Sequence, residues 1–213
     1  MKLNLSDAKL LEHCVQELEL RTSAEIVLVI RKSSGSYRDI AHLGGAFAGW
    51  CLLVIAMSVP YDIPEYWLPL PMVAIFFMVS LSIKHSRLRT WFSAKKRKIR
   101  QVARSAHACF YEKKIHQTTA HSGILVYCSL LEQRAEIVTD RAAELALDAA
   151  RVTEFQNLIM SKFCRQSNHS EAIRELLEVL RSFGVYLGKV LPASATEKLN
   201  ELDNSPDLTE EDE

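Results

Sequence analysis

Three carboxylates, Asp140, Glu144 and Asp148, recur at intervals of four residues. On a single helix that spacing puts all three on one face. Carboxylate oxygens gathered in this way suit a hard cation such as Ca²⁺ or Mg²⁺. The same acids also suit the amino end of a helix, where they complement its dipole and face water. The spacing alone fits both. Glu25 stands in the apolar run AEIVLVI. It is either a paired charge at the start of a strand or a carboxyl whose pKa burial raises.

Other chemistry is sparse. The seven histidines form no HExxH pair, and His116 and His121 flank an expected loop. The chain has no GxSxG elbow, no Walker phosphate loop and no GxGxxG turn. Its five cysteines, Cys14, Cys51, Cys109, Cys128 and Cys164, form no CxxC pair. An odd count without such a pair fits a reducing compartment and thiols packed as small apolar side chains.

The formal net charge of zero hides a strong asymmetry. Eleven Lys and Arg but one acid lie between Lys84 and Lys114, whereas six acids and no base lie from Asp203 to Glu213. The basic stretch begins where a long apolar segment ends. Ile40 to Val59 and Tyr66 to Ile83 contain no Asp, Glu, Lys or Arg. As helices they would reach about 30 and about 27 Å, close to the hydrocarbon thickness of a bilayer. Neither holds a charge that would line a conducting path. Tyr61, Tyr66 and Trp67 cluster at one end, as aromatics do at a membrane interface.

Positive residues stay on the cytoplasmic side. Lys84, Arg87, Arg89, Lys95, Lys96, Arg97 and Lys98 follow the second run, and the six residues 60–65 between the runs carry only Asp62 and Glu65. Residues 60–65 are therefore expected outside, with both flanks cytoplasmic. The basic residues suit a bilayer surface of anionic headgroups, and this topology accounts for them without nucleic acid. Gly45 and Gly49 form a small-xxx-small face for close helix packing, first of all within the hairpin. The opening MKLNLSDAKLLEH carries charges where a secretory leader would be apolar, so no leader is expected.

The elements that must position these residues follow from periodicity. A helix capped by Ser6 runs to about Arg21. A strand over Ala24–Ile30, apolar throughout, is buried on both faces. A basic helix carries Ile99, Val102, Ala106 and Phe110 on one stripe. Strands cover Ile124–Leu130 and Ala135–Val138. Arg141–Arg151 is helical, Thr153 caps the next helix, and Ser170–Gly188 forms the last. One strand alone cannot satisfy its backbone, so the first must pair with the later ones across the apolar segment. The expected boundaries are 1–39 and 84–192 for the two parts of one α/β domain, 40–83 for the hairpin (40–59 and 66–83), and 193–213 for a polar, acidic tail.

RTSAEIVLVI, HSGILVYCSLLEQRAEIVTDR and FCRQSNHSEAIRELLEVLRSFGVYLGKVLP, in that order, resemble the TPM domain. The likeness covers roughly residues 5–205 apart from the hairpin. Asp140 and Arg141 match the pair after the second strand of the hairpin-linked strands, and Ala142 stands where many relatives have glycine. The resemblance implies a small sheet sandwiched by helices, here interrupted by a two-helix transmembrane hairpin. It implies a bacterial inner-membrane protein that serves as an accessory or interaction module for a membrane complex, with a membrane protein as partner. Phosphatase activity and calcium binding are also known in that family. The alternative implied here is a divalent-metal-dependent phosphatase using Asp140 and neighbouring acids.

Overall fold

A computed structural model describes residues 5–35, 37–58, 65–85, 94–118, 120–166 and 168–193. The chain divides into two compact units, Met1–Ser34 with Ile99–Glu213, and Gly35–Lys98. The insertion is wider than the expected 40–83, because residues on both flanks pack with its helices, as described below.

The first unit is built on a three-stranded sheet of order β1-β2-β3. β1 (Glu25–Arg31) lies parallel to β2 (Gly123–Ser129), with Glu25 opposite Gly123 and Arg31 opposite Ser129. β2 turns back through Leu130–Gln133 into antiparallel β3 (Arg134–Thr139), and Gln133 takes the left-handed conformation at φ 54°. A parallel pair requires a long crossover, and this one carries the whole second unit. The sheet explains why the two strands read as unbroken apolar runs. Ile26, Leu28, Ile30, Ile124, Val126 and Cys128 enter one core, while Val27, Val29, Leu125 and Tyr127 enter another on the opposite face.

Helices cover both faces. The larger core includes Leu11, Val15 and Leu18 of α1 (Leu5–Glu19) and Leu176, Leu180, Phe183 and Leu187 of the last helix, His169–Val190. The smaller is closed by Val102, Ala106, Cys109 and Phe110 of the basic helix, Lys95–Glu112, and by Ile115 of a short 3₁₀ turn. Gly123 starts β2 so close to Ile115 that any Cβ there would strike the Ile115 carbonyl oxygen. α1 and the last helix run parallel. Asp7 meets His169 at 2.7 Å near their amino ends, and a Cβ on Gly184 would lie 3.1 Å from Leu18 Cγ. Thr22 Oγ1 and Ser23 N both donate to Leu191 O, tying the end of the last helix to the entry of β1. Ser6 lies inside the first turn of α1 and not at its cap.

The segment after β3 departs from expectation. Arg141–Arg151 is not one helix. A short helix, Arg141–Ala146, ends at Leu147, whose extended backbone puts its side chain into the core. A second helix, Ala149–Ile159, then starts under a new cap, Asp148. Thr153 lies within that helix, where its hydroxyl donates to Ala149 O. The helix widens into a π turn, Met160–Cys164, burying Phe163 and Cys164. Among the described residues the α-helices in chain order are α1, α2 (Arg38–Ser58), α3 (Pro69–His85), α4 (Lys95–Glu112), α5 (Arg141–Ala146), α6 (Ala149–Ile159) and α7 (His169–Val190).

Candidate membrane-anchoring site

The second unit holds the two apolar helices. α2 has 21 residues, and its stretch Asp39–Ser58 is long and apolar enough to cross a membrane. α3 has 17 residues and is shorter than the expected 66–83 span, because Glu65–Trp67 winds as a 3₁₀ turn and the α-helix starts at Pro69. Proline suits a first turn, where its missing N–H has no helical acceptor. Among the described residues one helix, not two, meets the length and hydropathy of a membrane span.

The two helices pack antiparallel. Gly44 faces Ile83, Gly45 faces Phe76 and Ser80, and Gly49 faces Met72. The two expected packing glycines differ. A Cβ on Gly45 would lie 2.7 Å from the Phe76 carbonyl oxygen and closer still to Ser80 Oγ, so the backbones meet there. At Gly49 a Cβ would make an ordinary 3.7 Å contact. Ser80 is buried and donates to Ala41 O at 3.2 Å, and the His42 ring stacks on Phe76 at 6.0 Å. Ser80 thus faces the partner helix. Outward, the surface is apolar: Phe47 is 65% exposed, Trp50 58%, and Leu43, Ile55 and Met57 are as open. Only 17% of the α2 apolar window is buried. Ala41, Gly45 and Gly49, the buried residues of α2, recur every four residues on the side toward α3. Exposed Tyr66 and Trp67 stand at the start of α3, with ring centroids 6.0 Å apart.

At the opposite end, the start of α4 meets the start of α2. Arg97 donates two hydrogen bonds to Asp39, Nη1 to Oδ2 at 2.6 Å and Nη2 to Oδ1 at 2.9 Å. Its guanidinium carbon lies 5.9 Å from the centroid of the buried Tyr37 ring. This fork-to-fork pair of residues 58 apart has no sequence signal, since periodicity registers only neighbours on one helix. Lys95 and Lys96 are exposed and Lys98 is half-buried. Of the basic residues expected at a membrane surface, Arg97 is therefore turned to a carboxylate within the protein. The Lys84 side chain and Arg87 and Arg89 lie outside the described residues, as do residues 60–64 and 194–213.

The carboxylates of the first unit do not form the expected face. Asp140 and Asp148 cap two different helices. Asp140 Oδ1 accepts from Arg141 N at 2.7 Å, and Asp148 Oδ1 from Ala150 N at 3.0 Å. Glu144 lies in the first of these helices, and the break at Leu147 removes the shared face. Asp140 Oδ2 has His121 Nδ1 at 3.4 Å. Among the described residues no group of three or more His, Cys, Asp and Glu side chains is placed to hold a metal ion.

Two further acids near strand ends, Glu132 and Glu136, are better connected. Glu132, in the β2–β3 turn, is 4% exposed and accepts from Ser34 N, Ser33 Oγ and Ser129 Oγ. Ser34 also shares a hydrogen bond with the Tyr127 hydroxyl at 3.0 Å, and its carbonyl accepts from Ser105 Oγ at 2.7 Å. These bonds fix the chain where it leaves the first unit. Burial pushes the Tyr127 hydroxyl above its ordinary pKa. Glu136 on β3 accepts from Gln156 Nε2 at 2.9 Å, and burial raises its carboxyl too. Glu25 is buried at the start of β1.

No family model matches the chain, and no curated protein matches it. Among solved structures it is similar to the NMR structure of BA42 protein from the psychrophilic bacterium Bizionia argentinensis. The TM-score is 0.58 and the identity 15%, over 98% of this chain and 97% of that one. At that identity the likeness concerns the fold: a mixed α/β arrangement, largely helical, around a small sheet.

Proposed function

We propose that this chain is a membrane-embedded accessory protein. The helix pair holds a TPM-like α/β unit at the cytoplasmic face of a bacterial inner membrane, where the unit acts as an interaction module for a membrane complex. The observation that carries this reading is the outward surface of α2. Leu43, Phe47, Trp50, Ile55 and Met57 stand open on α2, while Ser80 of α3 donates to the Ala41 carbonyl and Ser58 to its own helix backbone. Burying a large apolar side chain is worth about 1.5–3 kcal/mol, and a bilayer is the medium that supplies this along a helix 20 residues long. The positive flank supports cytoplasmic placement of the α/β unit.

The test begins with fractionation of cells expressing the full chain. The protein should stay in the membrane pellet through alkaline carbonate and leave it only with detergent. Release by carbonate would overturn the embedded reading. Crosslinkers placed on the α/β unit should then join it to a membrane protein. A carbonate-resistant protein that yields only self-crosslinks or none would overturn the accessory role alone.

A further inference from the structure

The end of the helix pair that carries Asp39 is also where α4 begins, and its four consecutive cations do not share one fate. Arg97 is held by both oxygens of Asp39 and lies over Tyr37. Lys95, Lys96 and Lys98 have no ion pair among the described residues. An arginine in a bidentate carboxylate pair is fixed in position and its charge is locally cancelled. Three ammonium groups beside it keep theirs. All these groups belong to the second unit, and Asp39 opens the apolar stretch of α2 itself.

We infer that Lys95, Lys96 and Lys98 form a headgroup patch for anionic phospholipid, and that the Asp39–Arg97 pair is the clasp holding it at the end of the helix pair. This rests on the membrane reading above. The partner follows from two features in combination. The apolar helix surface requires acyl chains alongside, and cations fixed at the end of that surface meet whatever is attached to those chains. Lysine suits this role as a strongly hydrated point charge that engages phosphate without a fixed geometry. The clasp makes Arg97 a positioning residue and not a lipid contact.

Native mass spectrometry of the detergent-solubilised full chain, offered a mixture of phosphatidylglycerol and phosphatidylcholine, tests both parts. The wild type should retain phosphatidylglycerol preferentially, and added salt should weaken the preference. Replacing the three lysines by glutamine should lower the preference roughly fivefold for each lysine. Arg97→Asp should lower it as well, whereas Asp39→Arg combined with Arg97→Asp restores the pair at unchanged net charge and should restore the preference. Circular dichroism and retained α2–α3 packing would show that the variants fold.

A triple variant with undiminished preference would overturn the patch. A double swap no better than Arg97→Asp would overturn the clasp. Competition by glycerol phosphate, which lacks acyl chains, would show a phosphate site and overturn the lipid assignment. Release of the protein by carbonate would overturn the membrane reading and this inference together. A carbonate-resistant protein with no lipid preference would overturn this inference alone.

Discussion

Glu136 shows how a single side chain ties the sheet edge to pH. It is half-buried on β3, with Gln156 donating to it from α6. Burial raises its carboxyl above the ordinary glutamate value of 4.5, against the lowering pull of His107, Gln156 and Arg134. A carboxyl whose native pKa is raised holds its proton longer in the folded chain than in the unfolded one. Above 4.5 the native state therefore binds more protons, and stability falls as pH rises through the native pKa. Glu136→Gln keeps an acceptor for Gln156 and removes the ionisation. We expect the variant to melt higher than the wild type at neutral pH, with the difference vanishing below pH 4.5. Thermal unfolding of the solubilised chain across a pH series measures this. A difference that does not change with pH would mean that ionisation of Glu136 is not the cause.

At the scale of elements, the α2–α3 pair distinguishes its two small residues. Gly45 sits where helix backbones touch, and Gly49 sits where they do not. Small residues permit close approach of helix backbones. Gly45→Val must push Phe76 and Ser80 aside, at a cost of about 1–3 kcal/mol. Gly49→Ala adds only an ordinary contact and should fall within about 0.5 kcal/mol of the wild type. Unfolding in mixed micelles titrated with a denaturing detergent compares the two. Equal stability of Gly45→Val and the wild type would show that the helices do not approach at this point. The broken helix at Leu147 makes a related case. Asp148 was set apart from Asp140 and Glu144 because Leu147 is drawn into the core and Asp148 offers a fresh cap.

For the molecule as a whole, one domain is interrupted by a unit that its own sheet does not need. β1 has its ladder partner β2 beyond the insertion, and the larger core draws on α1 and α7 from the two ends of the described chain. The exit at Ser34 is bonded to Tyr127, Glu132 and Ser105, all contributed by the later segment. Ser105 belongs to the same helix as Ile99, so a short link can join the cut ends. Replacing Gly35–Lys98 with a Gly/Ser linker should give a soluble monomer that unfolds in one cooperative transition. Residues 1–34 expressed alone should show no cooperative transition, since one strand leaves its backbone unpaired. Size-exclusion chromatography and denaturant unfolding test both fragments. An aggregated linker variant, or an independently folded 1–34, would count against a single split domain.

Local chemistry made a good part of this legible in advance. The apolar run without alternation marked β1 as a strand buried on both faces, because both faces of the sheet are covered. The HSGILVYCSLLEQRAEIVTD stretch marked a strand–turn–strand, and Gly45 marked a close helix contact, each within one or two turns of chain. Those features depend on neighbours in sequence, so spacing encodes them. The Asp39–Arg97 clasp, the Glu132 hub joining residues 98 apart, and the break that divides Asp148 from Asp140 and Glu144 were settled only by tertiary structure. Each depends on which distant groups burial brings together, and no periodicity along the chain records that choice.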